Sequence, residues 1–203
     1  MKQKSNTGAR RANNPAGAVR ASGRTGRFVR RITICLGVIL FCVSGFYLSL
    51  IVSADDLRAE DRAQVERAIT LIDKSGFTAE AFYLRNLAAF RGGDNWLNAA
   101  VAKENAYAAT NFPFAVVTLY PDFFTYTLDD TERAAILLHE AKHLTGFDER
   151  HAYSFVWQNK KALGWTIDRY RDSVVWQEVR NQTMEVEPNL FVCDFNEFGD
   201  CTE

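Results

Sequence analysis

The chain has 203 residues, with 24 Lys or Arg, 25 Asp or Glu and three histidines, so its net charge is close to zero. That balance hides an asymmetry: residues 1–31 carry nine basic and no acidic side chains, whereas 55–203 carries all 25 acidic ones and a net charge of −10. An acidic globular part argues against a nucleic-acid-binding protein. No internal repeat, phosphate loop or Ser/Cys nucleophile motif is present.

Residues 1–31 are basic and rich in Asn, Gly, Ser and Ala, and read as a disordered cytoplasmic arm. Residues 32–54 form a run of 23 without a charge. As a helix the run spans about 34 Å, enough for a hydrocarbon core of about 30 Å. Arg27, Arg30 and Arg31 precede it and Asp55-Asp56 follow. The positive-inside rule then makes it a transmembrane signal-anchor, with the N-terminus cytoplasmic and 55–203 periplasmic or extracellular. Val52-Ser53-Ala54 also satisfies the small-residue rule for cleavage, so a removed signal peptide is the competing reading. Gly45, Ser49 and Ser53 form a small-residue stripe suited to helix pairing.

The part beyond position 55 is long enough for one domain with its own core. Its pattern is mainly α (α+β), with a small sheet or edge strand. Leu57, Val65, Ile69 and Ile72 fall at helical spacing within Asp55–Lys74, ending before Gly76. Thr78 is placed as the cap of a second helix running through Phe90 and stopped by Gly92-Gly93. Asp94–Asn111 is ambiguous, and within it Trp96–Ala102 could form a short helix. Phe114–Leu119 is the clearest strand, closed by Tyr120-Pro121, and Phe123, Phe124 and Tyr126 suit either a core or a specificity pocket.

The informative stretch follows. A cap-like Asp129-Asp130-Thr131-Glu132 opens a run of helix formers containing His139-Glu140-Ala141-Lys142-His143. Residues four apart share a helical face, so both imidazoles can address one cation. Glu140 projects about 100° further round. All three histidines (His139, His143 and His151) fall within thirteen residues. Beyond them, Phe155, Trp157, Leu163 and Trp165 point to packing of a helix that begins near Asp148. Ile167–Arg180 reads as another, with Tyr170, Val174, Val175 and Val179 inward. In an oxidising compartment Cys193 and Cys201 would pair, and a loop this short contributes about 2–3 kcal/mol.

The His-Glu-x-x-His core resembles that of the zincin superfamily of zinc metallopeptidases. His143-Leu144-Thr145-Gly146-Phe147-Asp148-Glu149 extends the match as His-x-x-Gly-x-x-Glu. This is similar to the metzincin continuation, with Glu where those enzymes have His. A glutamate on a second helix resembles instead the gluzincin arrangement, with a short connection. Gly146 can adopt a positive φ and turn the chain back.

The resemblance implies Zn²⁺ held by His139, His143 and Glu149, with His151, Asp148 or Glu178 as alternative third ligands. Glu140 would be the general base, and Tyr153, Arg150 or His151 the donor to a developing oxyanion. It gives the Phe114–Leu119 strand the role of a substrate-pairing edge. Met184 is similar to the methionine beneath metzincin sites. The expectation is a membrane-anchored peptidase acting on envelope or secreted polypeptides. An amidase of cell-wall material and a non-catalytic, metal-stabilised module are the alternatives.

Overall fold

The computed structural model describes residues 22–100, 107–196 and 199–203. The basic arm before Ser22 and the end of the expected Trp96–Ala102 helix lie outside them. The chain forms two compact units, Met1–Phe46 and Tyr47–Glu203.

The uncharged, β-branched and Leu-rich run from 32 onward, with the arginine-bearing residues before it, forms one helix, α1 (Ser22–Ser53). Its stretch Gly26–Val52 is long and apolar enough to cross a membrane. In the larger unit, the last turn of this helix belongs to the domain. Leu50 is fully buried, and Ser49 and Ser53 accept hydrogen bonds from Trp96.

The rest is mainly helical with a small sheet. Helices α2 (Ala59–Lys74) and α3 (Thr78–Asn86) flank the turn at Gly76, whose φ is +96°. Both are shorter than their sequence patterns indicate. Asp55–Arg58 precede α2, and Phe77 rather than Thr78 occupies the cap position of α3. The final residues of the expected second helix form a strand instead, β1 (Ala89–Arg91), because their backbone pairs in parallel with β3 (Val116–Leu119). A second unforeseen strand, β2 (Ala108–Asn111), pairs antiparallel with β3 and places Thr110 opposite Val117. The sheet order is therefore β1-β3-β2. The strand expected at the edge is its fully buried centre, and β2 takes the edge. Among the described residues of the expected short helix, Asn98–Ala100 form a 3₁₀ turn.

After α4 (Pro121–Thr125), whose Phe123 is core, comes the central helix α5 (Asp130–Leu144). Asp129 caps it, accepting from the backbone N–H of Thr131 at 2.9 Å and of Glu132 at 3.3 Å. Glu132 reaches back to the N–H of Leu128 at 2.7 Å and accepts from the Ser173 hydroxyl. Burial pushes its carboxyl up, partly offset by these bonds. Ala134, Ile136, Leu137, Leu138 and Ala141 bury most of the helix circumference, since α5 packs on α2, α3, β2 and α6 (Glu149–Asn159) at once.

The expected helix Ile167–Arg180 is two pieces, α7 (Ile167–Tyr170) and α8 (Val174–Val186). Ser173 breaks it by capping α8 through the Trp176 N–H at 3.0 Å. Val174 consequently faces solvent, while Val175 and Val179 are core. Met184 lies within α8 and is partly exposed, so it forms no turn beneath the histidines. Cys193 and Cys201 form a disulfide. It closes a segment that delivers Asp200 to the fully buried Lys160 ammonium at 3.0 Å. Glu203 approaches the same ammonium at 3.1 Å, and Thr202 is hydrogen-bonded to it. Burial alone would raise the Asp200 carboxyl, but Thr202 and Lys160 together hold it below its usual range.

A second, largely buried ion pair fixes α5 against α3, joining the buried Lys142 to the partly exposed Glu80. The Lys142 ammonium lies 2.5 Å from Glu80 and 3.4 Å above the Phe155 ring. Removing one partner of such a pair strands the other charge, which typically costs about 3–5 kcal/mol. Glu80→Ala should therefore lower the urea-derived unfolding free energy by about 3 kcal/mol, and adding Lys142→Met should recover most of it.

Candidate metal centre

Because α5 is regular through Leu144, His139 and His143 stand one turn apart on the same face, with their Nε2 atoms 3.0 Å from each other. At Gly146 the chain adopts φ +84° and reverses. This allows the Phe147 N–H to reach the Lys142 carbonyl at 3.2 Å and lets Asp148 cap α6. Glu149, the first residue of α6, then projects back over α5. Its Oε2 lies 3.1 Å from His139 Nε2 and its Oε1 3.4 Å from His143 Nε2. The three side chains form a group that could hold a metal ion.

For bonds of about 2.0–2.1 Å in tetrahedral geometry, two ligand atoms stand about 3.3 Å apart. The two Nε2 atoms at 3.0 Å, and one Glu149 oxygen 3.1 Å from His139 with the other 3.4 Å from His143, lie near that spacing, and one ligand atom from each residue falls within 4.8 Å of the others. The tautomer matches too. The Phe147 carbonyl can only accept, so at 2.9 Å from it His143 Nδ1 carries a hydrogen, which leaves Nε2 as the nitrogen facing the triangle, a donor to Glu149 while the ring is protonated and a ligand once it is neutral. Burial alone would lower the His143 imidazole, but Glu149, Glu140 and the Phe147 carbonyl push it up to about 9. Hydrogen bonds from His139 and His143 hold the Glu149 carboxyl well below the usual carboxylate range, despite its partial burial.

Glu140 points elsewhere, as its position on the helix requires. It is buried, and its Oε2 accepts a 2.7 Å hydrogen bond from the Thr110 hydroxyl on β2. Thr110 is a site residue that sequence reasoning passed over. A threonine thirty residues upstream carries no local signal, and the strand presenting it is too short for an alternation pattern. All these groups line one cavity of about 640 Å³, with Tyr107, Phe112 and Tyr153 on its walls.

Other expected site residues are placed less centrally. The Tyr153 ring packs 4.3 Å from that of His139, and its hydroxyl donates to Gln182 on α8. Burial first, and then the carboxylates of Glu149, Glu140 and Glu178, push that phenol above its ordinary range. His151 stands outside the triangle, its ring stacked on Phe147 at 3.9 Å. Arg150 pairs with Glu187 at 2.7 Å, Asp148 is engaged as the α6 cap, and Glu178 accepts from the Tyr107 hydroxyl. Phe123, Phe124 and Tyr126 do not line the cavity.

No protein-family model, curated protein or solved structure matches this chain.

Metal content of the purified full-length protein, measured by atomic emission after exhaustive dialysis, should be close to one equivalent of a divalent ion. His139→Ala, His143→Ala and Glu149→Ala should each abolish it, while His151→Ala should leave it intact. Loss in His151→Ala with retention in Glu149→Ala would reverse the ligand assignment.

Proposed function

We propose that the chain is a membrane-anchored, zinc-dependent metallopeptidase that hydrolyses peptide bonds of envelope or secreted polypeptides. The observation that carries this reading is the pairing of a metal-sized His139–His143–Glu149 triangle with a separate, buried carboxylate, Glu140, held by Thr110. A merely structural metal needs the triangle but has no use for an oriented acid beside it. The donor set of two imidazoles and one carboxylate suits zinc, and the HExxH resemblance supports the same ion.

Zn²⁺ at such a site supplies Lewis acidity toward a substrate carbonyl and lowers the pKa of water to near 7. The protein's part is to move the proton. With Oε2 engaged by Thr110, Glu140 offers Oε1 to take the proton and return it to the leaving amine. Strand β2 ends the sheet and lines the cavity, so an extended polypeptide can pair along its outer edge beside Glu140. Tyr153 is the nearest candidate donor to a developing oxyanion, on exchanging its bond to Gln182. Basic residues before the apolar run, Asp55-Asp56 after it and the disulfide support a cytoplasmic N-terminus and an extracytoplasmic domain.

Glu140→Gln should retain metal while reducing hydrolysis of a quenched-fluorescence peptide library to background. Turnover of non-peptide amides alone would move the assignment to an amidase. Metal that raises only the melting temperature, with no turnover of either class, would make the site structural.

Thr110→Val should keep the metal and lower kcat about 10–100-fold with little change in KM, as loss of outer supports around metal sites does. Thr110→Ser should restore it. Equal kcat in the wild type and Thr110→Val would show that the hydroxyl merely satisfies a buried carboxylate.

A further inference from the structure

Of the four tryptophans, three form one buried cluster: the rings of Trp157, Trp165 and Trp176 lie 4.8–6.0 Å apart. Trp96 is different, at 48% exposed. A lone exposed aromatic residue carries no message, but the partners of this one do.

The segment around Trp96 is built onto the end of the apolar run. Gly92 donates its N–H to the Asp55 carbonyl at 2.8 Å, and Trp96 donates its own to Ser53 Oγ at 3.3 Å. The indole Nε1–H donates to Ser49 Oγ at 3.1 Å. Ser49 lies within Gly26–Val52, the stretch apolar enough to cross a membrane. The polar edge of the indole is therefore satisfied by the apolar run itself, while about half of the residue stays exposed. Leu97 follows it, partly exposed, and Leu48 and Val52, each one residue before a serine partner, are exposed as well. Residues far apart in sequence thus present apolar surface at the end of a candidate membrane span.

We propose that Trp96 and Leu97 lie in the interfacial layer of the bilayer, where lipid covers them. An amphipathic ring with its N–H satisfied and its face apolar is the side chain that this layer favours. The small-residue stripe then has a use other than helix pairing, since Ser49 and Ser53 seat a membrane-belt tryptophan. Asn95 and Asn98, on either side of this pair, are buried and tied to β2. Asn95 donates to the Asn111 carboxamide at 2.7 Å, and Asn111 donates to that of Asn98 at 2.7 Å. The lipid-contacting segment and the strand presenting Thr110 are accordingly joined through their side chains. This proposal does not depend on the peptidase reading.

The test uses the full-length protein reconstituted in phosphatidylcholine vesicles, either plain or with acyl chains brominated near the carbonyl. Brominated lipid should quench the share of wild-type emission that one of four tryptophans contributes. Trp96→Phe should emit equally in both vesicles while melting as the wild type does. Leu97→Trp, which leaves Trp96 in place, should enlarge the quenched share. Wild-type emission indifferent to bromine would put Trp96 in water or beneath another protein and overturn the proposal. Equal quenching of the wild type and Trp96→Phe would do the same.

Discussion

Two imidazole nitrogens 3.0 Å apart, each with a carboxylate oxygen of Glu149 at 3.1 or 3.4 Å, are a costly assembly. Their lone pairs repel unless a proton or a cation sits among them. The fold must therefore hold them there, and much of its architecture can be read as doing so. Helix α5 is packed on several sides and so cannot rotate its histidines away from Glu149. The reversal at Gly146 fixes α6 so that its first residue lies over them. The same turn supplies the Phe147 carbonyl that sets the His143 tautomer.

The site is assembled from two kinds of contact. The triangle is local: all its members lie between His139 and Glu149, on one helix end, one turn and one helix start. The support of Glu140 is not. It depends on β2, which depends on pairing with β3 and on the asparagines that brace its other face. Two neighbouring residues on α5 thus answer to different parts of the molecule, the histidines to α6 and the glutamate to the sheet. Lys142, two residues further on, is committed to α3 through Glu80. Successive positions on one buried helix face different neighbours, which divides these tasks among them.

That division also decides what could be read from the sequence. The triangle was legible because its geometry follows from helical periodicity and one glycine. The apolar run and the cysteine pair were legible for similarly local reasons. Strands β1 and β2 were not. Each has at most four residues, too few to show a period, and Ala89–Arg91 continues a helical pattern until pairing with β3 overrides it. Within Phe114–Leu119 a strand was read correctly, but it begins only at Val116, after a turn that includes Phe114 and Ala115, and its place in the sheet was hidden, since both partners were missing. Ser173 could be recognised as a capping residue type, yet the Val174–Val175 pair following it suggested one continuous helix. Thr110 and Trp96 gained their significance only from partners 30 and 43–47 positions away.

The far end of α6 has its own fastening, in the buried Lys160 and the acidic groups brought to it by the closing segment. The sulfur bridge spans Cys193 and Cys201, so a single backbone cut anywhere between them leaves both fragments covalently joined. Asp200 would remain tethered beside its ammonium, and the helix whose first residue is Glu149 would keep its distal hold. In surroundings rich in proteases, the protein's own proposed activity among them, such a nick would leave a scar without loosening the grip.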